Sequence, residues 1–270
     1  AKSSSVIPRR SMTESHEERN RIYFDAFWQS GVDLYEQHPT GRHRRRFILN
    51  ALHAARRRSA VGPATLFDYG CGSGAVLGDA QRALGLRECD LGGCDISASA
   101  LQLARRRFPE GEFYEGAFPD PVARVDLVIC SEVIEHTDAY ADILRWIYVH
   151  LNEGGWLVLS TPSVPMDAPD ESYGHVQHFE LNALVELLRG IGFEVVSARR
   201  WGWPLFTLQK AITRHFHAAV ESKVISRKPG FLIRTVFRIA YFAYFVHDLL
   251  PYGPQIYLVA RRPEPETPNI

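Results

Sequence analysis

Between residues 65 and 199 the chain alternates apolar, strand-like runs with amphipathic, helix-like ones. Strands are expected at 65–69, 91–95, 112–115, 125–130, 156–160, 193–199 and 255–260. Helices are expected near 75–85, 97–107, 139–150 and 180–191. Parallel neighbours need a crossover long enough to hold a helix, so this alternation calls for a mostly parallel seven-stranded sheet covered on both faces. A chain of 270 residues holds one such domain with room for an insertion.

The flanking regions read differently. Residues 14–60 are expected to form an N-terminal helical cap, with an aromatic-rich stretch at Ile22, Phe24, Phe27 and Trp28. A second apolar face, Phe47, Ile48 and Leu52, follows the break at His38-Pro39-Thr40-Gly41. The core is placed at 61–199, a helical lid at 200–254 and the last strand at 255–262, with tails at 1–13 (disordered) and 263–270. The long connection before the last strand carries Trp201, Trp203 and Phe206, a helical segment near 205–222 and a very apolar run at 231–250, where a hairpin needs only about two to five residues. No internal repeat is visible.

The first strand ends in Leu66-Phe67-Asp68-Tyr69-Gly70-Cys71-Gly72-Ser73-Gly74, and a helix follows. Such glycines permit positive φ and close approach of a ligand to the backbone, and the helix N-terminus offers free N–H groups. A lone glycine-rich turn is a weak signal. Asp95 sharpens it, because it ends the next strand about 20 residues on, where a carboxylate binds ribose hydroxyls. Asp68 is not part of the dinucleotide fingerprint.

The stretch Asp68-x-Gly70-x-Gly72-x-Gly74 resembles motif I of the class I S-adenosylmethionine-dependent methyltransferases, type 11/12-like. The resemblance continues at Asp95-Ile96, at Val125–Glu132 with Ser131 in the exit of the fourth strand, and at Leu151-Asn152-Glu153-Gly154-Gly155-Trp156-Leu157. It covers about half of the chain and implies a Rossmann-like α/β fold with S-adenosylmethionine as methyl donor. Asp68, Gly70, Cys71, Gly72, Gly74, Asp95, Ile96 and Ser131 would then hold the cofactor. The pattern departs after the third strand, where Ala117 replaces the family's adenine-contacting Asp. Adenine would instead pack on Ile96 or Phe118, with backbone contacts at Ala117.

The loop after the fourth strand reads Ser131-Glu132-Val133-Ile134-Glu135-His136. On a helical turn, Glu132, Glu135 and His136 at i, i+3 and i+4 would face one another. His175 and His178 lie further along. Two carboxylates and imidazoles suit Mg²⁺, Mn²⁺, Fe²⁺ or Zn²⁺. The E-x-x-E-H pattern with a distant His resembles ubiquinone-pathway O-methyltransferases and small-RNA 2′-O-methyltransferases, which implies a metal at Glu132, Glu135, His136, His175 and His178. Two other readings stay open: His136 alone as general base, and a purely ordering role for these side chains.

Four cysteines (Cys71, Cys89, Cys94, Cys130) follow no metal or disulfide spacing, which suits buried thiols in a reducing cytoplasm, and no apolar leader is visible. Net charge is zero, which argues against nucleic acid, but residues 1–60 hold a basic excess centred on Arg42, Arg44, Arg45, Arg46 and Arg56–Arg58. That excess reads either as a solvated helix face or as a rim for an anionic substrate. Arg234 and Arg238 interrupt the 231–250 run at about 2.5–3.5 kcal/mol each in hydrocarbon. The run is therefore expected to be a buried lid or homodimer helix, with peripheral membrane contact as the alternative. The function expected is O-methylation of a small-molecule hydroxyl. The rivals are RNA 2′-O-methylation, N- or C-methylation, and a non-catalytic cofactor-binding subunit.

Overall fold

The computed structural model describes residues 16–30, 38–58, 64–120, 122–215 and 230–265. The tail at 1–13, the stretch 216–222 of the expected lid helix and residues 266–270 lie outside them. The sheet contains β1 (Leu66–Tyr69), β2 (Leu91–Asp95), β3 (Glu112–Glu115), β4 (Val125–Ser131), β5 (Leu151–Pro162), β6 (Glu194–Trp201) and β7 (Gln255–Arg261). Strand order is β3-β2-β1-β4-β5-β7-β6. β1 to β5 pair in parallel, and β7 lies antiparallel between β5 and β6. β5 is longer than expected because its register with β4 slips: Leu151 pairs with Val125, and regular pairing resumes at Trp156 and Leu127.

The helices are α1 (His16–Ser30), α2 (Pro39–Arg58), α3 (Ala75–Leu84), α4 (Ala98–Arg107), α5 (Tyr140–His150), the short α6 (Ala168–Ser172), α7 (Leu181–Ile191), α8 (Leu205–His215) and α9 (Phe231–Ala243). Strand alternation divides the core in two. Phe67, Tyr69, Val128, Cys130, Leu157 and Leu159 pack under Ile143, Leu144 and Ile147 of α5 and Leu184 and Leu188 of α7. Leu66, Leu127, Ile129 and Val158 face the other way, onto Ile48 and Leu52 of α2, Leu77 of α3 and Leu101 of α4. The α2 side chains at 48, 52 and 55 are one helical stripe, and all three are buried. Cys71, Cys94 and Cys130 are buried thiols, whereas Cys89 is exposed.

The connection between β6 and β7 is tied to the sheet by a third cluster, Trp201, Tyr244 and Tyr257, joined by Phe47, Leu205 and Phe206. The Trp201 indole N–H also donates to Asp248 Oδ1 at 3.1 Å, and Arg46 Nη2 reaches the same oxygen at 2.8 Å. Truncation of so large a buried side chain leaves a cavity, so Trp201→Ala is expected to cost about 3–5 kcal/mol, measured as a shift in the urea unfolding midpoint. Among the described residues no helix is long and apolar enough to cross a membrane.

Candidate active site

The chain order reverses between β1 and β4, and α/β sheets bind ligands at the carboxyl edge of such a switch point. The turn leaving β1 sits there. Gly70, Gly72 and Gly74 have φ of 78°, 51° and 71°. A Cβ at Gly70 would lie 2.3 Å from Val133 Cγ2, and one at Gly72 would lie 2.4 Å from Trp28 Cζ2. Glycine is thus required by both dihedral and space. The amides of Gly70 and Cys71 donate to the Cys94 carbonyl, at 2.8 and 2.9 Å, which holds the turn against the end of β2.

Asp95 closes β2 and accepts hydrogen bonds from Gly72 N at 2.8 Å and Ser97 N at 2.9 Å. Burial pushes its carboxyl up to about 6. Asp68, which is buried where Asp95 is half-buried, is raised well above the usual carboxylate range by burial and by the Asp95 charge. The residues after β2 and β3 meet at the same edge. Ile96 follows Asp95, and Gly116 N donates to the Asp95 carbonyl at 3.0 Å. The Tyr69 hydroxyl donates to the Ala117 carbonyl, and the Phe118 ring is half exposed beside it. The Ser131 and Ser160 hydroxyls are 2.8 Å apart. One buried and one half-buried carboxyl beside three positive-φ glycines fit the ribose and amino-acid ends of S-adenosylmethionine.

Helix α1 lies over this edge. Asp25 accepts from the Ser97 hydroxyl at 2.6 Å and from Ser99 N at 3.1 Å. Asn20 Nδ2 donates to the carbonyls of His136 at 2.7 Å and Gly174 at 3.2 Å. Sequence reasoning noticed the aromatic stretch of α1 but not Asn20, Asp25 or the position of Trp28, because nothing local signals which partner a surface helix will cover.

Beyond β4 the expected helical grouping is not formed. Glu132 takes a positive φ of 58°, unlike any other described non-glycine residue, and the 3-10 turn Ile134–His136 begins only after Val133. The backbone reversal turns the Glu132 carboxylate toward α2 and the ends of β5 and β7, still near enough for its charge to act on Glu135. Its carboxylate pairs with Arg44 Nη1 at 2.7 Å and accepts from Ser160 Oγ at 3.0 Å and Gln255 Nε2 at 2.8 Å. Glu132 therefore joins neither of the donor clusters described below. The arginines of α2 are correspondingly more than a solvated face: Arg44 meets Glu132, Arg45 meets Asp79 at 3.3 Å, and Arg46 meets Asp248. Arg44→Met should cost about 2 kcal/mol, less than a fully buried pair because solvent reaches both side chains. Urea denaturation of the variant checks this.

Glu135, His136 and His175 do come together. Glu135 is 0 % exposed; Thr161 Oγ1 donates to Oε2 at 2.9 Å, while Oε1 finds no hydrogen-bond partner among the described residues. Oε1 lies 4.0 Å from His136 Nε2, and His136 Nδ1 is likewise buried without a partner. Burial and the Glu132 charge hold the Glu135 carboxyl well above its usual range. Burial lowers His136 to about 4 and His175 to about 3, so both imidazoles are neutral at pH 7. The His136 and His175 rings meet edge to face at 4.7 Å.

A second cluster shares His175. His175 Nδ1 is 2.8 Å from His178 Nε2, which is 3.7 Å from Asp170 Oδ2. Lys210 of α8 bonds both Asp170 oxygens at 3.0 Å. In each set, Glu135–His136–His175 and Asp170–His175–His178, one donor atom from each residue lies within 4.8 Å of the others. Asp170, Lys210 and Thr161 were not legible as site residues, since each arrives from a separate element, and Arg44, read as part of a basic rim, meets Glu132 instead.

The methyltransferase domain family matches residues 40–198. A Mycolicibacterium smegmatis protein named a probable S-adenosylmethionine-dependent methyltransferase is 31% identical over 141 residues, 48% of this chain and 52% of that protein. The Burkholderia multivorans ubiquinone biosynthesis O-methyltransferase is 27% identical over 143 residues, 50% of this chain and 57% of that protein. The chain thus spans about half the length of these curated relatives. Among solved structures, a chain of the Haloferax volcanii complex between a methyltransferase activator and a methyltransferase superposes with a TM-score of 0.58 at 18% identity, covering 92% of this chain and 99% of that one. Haemonchus contortus phosphoethanolamine N-methyltransferase 2, bound to S-adenosyl-L-methionine, gives 0.53 at 15% identity, covering 89% and 60%. These two likenesses show the fold. With the family match over more than half of the chain, the glycine turn and its two acids belong to a class I S-adenosylmethionine-dependent methyltransferase.

Proposed function

We propose that this enzyme methylates a hydroxyl of a small-molecule acceptor, and that Glu135, His136 and His175 present that oxygen to the sulfonium methyl group. The observation that carries the reading is the pair of buried atoms without hydrogen-bond partners among the described residues, Glu135 Oε1 and His136 Nδ1, on the loop that leaves β4 beside the glycine turn. Orphaned buried polar atoms are costly unless something binds them. The names of the ubiquinone-pathway O-methyltransferase relatives support oxygen as the acceptor atom.

Methyl transfer is an in-line displacement. A lone pair of the acceptor oxygen forms the new C–O bond while the C–S bond breaks, its electrons go to sulfur, and the hydroxyl proton passes to the neutral His136 imidazole or to solvent. Asp68 and Asp95 would hold the amino-acid and ribose ends of the donor, with the Gly70–Gly74 turn and Ser131 beside it and Ile96, Ala117 and Phe118 available to the adenine. Neutral imidazoles at His136 and His175, with Glu135, make a donor set that suits Mg²⁺, Mn²⁺, Fe²⁺ or Zn²⁺. A cation held there would polarise the acceptor oxygen and lower its pKa. His178 and Asp170 orient His175 from behind, and Lys210 brings the β6–β7 connection onto the same loop, which supports its reading as a lid over the acceptor. His136 acting as a metal-free base is the second reading, favoured by its neutral, partnerless Nδ1.

Calorimetric titration with Mn²⁺ and Zn²⁺ tests the site without relying on turnover. Wild type and Glu132→Gln should bind, and Glu135→Gln should not. Equal binding by the three proteins would remove Glu135 from the site. Incubation with hydroxylated aromatic acceptors and S-adenosylmethionine should yield S-adenosylhomocysteine and an oxygen-methylated product by NMR. Methylation of RNA and not of small acceptors would overturn the acceptor class.

A further inference from the structure

Helix α9 displays apolar side chains to solvent along its length. Phe231 is 87 % exposed, Leu232 75 % and Ile239 65 %, with Val236 and Phe242 also more than half exposed. Ala240, on its inner side, packs against the Trp201 cluster. Arg234, Arg238 and Tyr241 follow one another at i, i+4 and i+7, so both arginines share the flank that carries Tyr241. On that flank Arg42 Cζ lies 3.7 Å over the Tyr241 ring. Tyr241 also lines a cavity of about 610 Å³ with Arg42, Arg45, Arg46 and Arg82, where Asp79 is the one acid among the described lining residues. Neither α8 nor α9 contains Asp or Glu.

An exposed apolar ridge of this length is unusual on a soluble protein, and a cationic groove beside it narrows what can cover it. A second copy meeting the face by two-fold symmetry would gather the same cationic flank of both copies into one interface, with no acid on α8 or α9 to offset it. RNA would match the arginines but not the apolar ridge. We propose that this face docks on an anionic phospholipid bilayer, with the α9 ridge entering the boundary between headgroups and acyl chains and the arginines meeting lipid phosphates. The proposal concerns binding alone and is independent of the acceptor chemistry above.

Flotation of the full chain with vesicles tests it. Wild type should float with vesicles of phosphatidylcholine mixed with phosphatidylserine, and not with phosphatidylcholine alone. Val236→Glu/Ile239→Glu should weaken partitioning at least ~10-fold, because it places charge where the ridge would insert. Arg234→Glu/Arg238→Glu should weaken it ~10-fold or more and reduce its salt dependence. Both pairs alter exposed positions, and circular dichroism verifies their folding. Inorganic phosphate should compete poorly, because it offers no apolar phase. Absence of flotation, equal flotation with neutral vesicles, full competition by inorganic phosphate, or a wild-type dimer that either variant splits would each overturn the proposal.

Discussion

Replacing His136 with Ala is expected to lower kcat by about 10²–10⁴-fold, the range associated with loss of a group that handles the acceptor proton. S-adenosylmethionine affinity should change little, since His136 lies on the β4 loop and not on the glycine turn. Chelation separates the two readings of the site. If a cation works there, exhaustive removal abolishes turnover, and Mg²⁺, Mn²⁺, Fe²⁺ or Zn²⁺ restores it. Undiminished activity after verified metal removal would leave His136 as the base. Stability supplies a second readout. The Glu135 carboxyl titrates well above its ordinary 4.5 in the folded chain. The folded state then holds a proton that the unfolded state has lost, so stability is fully present below 4.5 and declines as pH rises toward the folded value. Glu135→Gln should therefore stabilise the metal-free protein at neutral pH and remove any gain in Tm from added metal. A variant less stable than wild type without metal would show that the carboxylate is already compensated.

The second large effect concerns the cofactor. Asp95→Ala is expected to weaken S-adenosylmethionine binding by about 10²-fold, the consequence of losing hydrogen bonds from ribose hydroxyls to a charged acceptor. Asp95→Asn should fall between, because its single amide oxygen keeps one of the two acceptor positions that Gly72 N and Ser97 N use on separate carboxylate oxygens. The raised carboxyl, about 6, adds a pH signature. Above that value the ionised group accepts from the ribose; as pH falls through it, the protonated group loses acceptor capacity and affinity drops. Calorimetry across pH 5 to 8 (with the upper limb as reference) reads this directly. A pH dependence unchanged in Asp95→Asn would assign it to another group, with buried Asp68 the first to examine.

The sheet was legible wherever the signal was local. The β1 and β2 boundaries followed from apolar runs ending at turn residues, and the glycine turn announced itself because only glycine tolerates those dihedrals so close to Val133 and Trp28. Asp95 could be placed because its distance from the turn is set by one strand–helix–strand unit. The helical geometry assigned to Glu132, Glu135 and His136 was not legible, because a single positive φ at Glu132 redirects the carboxylate toward Arg44. Nothing within a few residues of Glu132 announces an arginine 88 positions earlier in the chain, nor a glutamine, Gln255, on the last strand.

By itself, then, the sequence determined the order of elements, the cofactor turn with its acids, and the residues available for chemistry, because dihedral preference and hydrophobic period act between near neighbours in the chain. Only the tertiary structure decided which of those residues share a site. It withdrew Glu132 to a salt bridge, closed Glu135 onto His136 and His175, brought Asp170 and Lys210 behind them, and laid α1 over the glycine turn. Ion pairing and burial are set by which surfaces meet across the sheet edge, and those meetings depend on the packing of the whole chain.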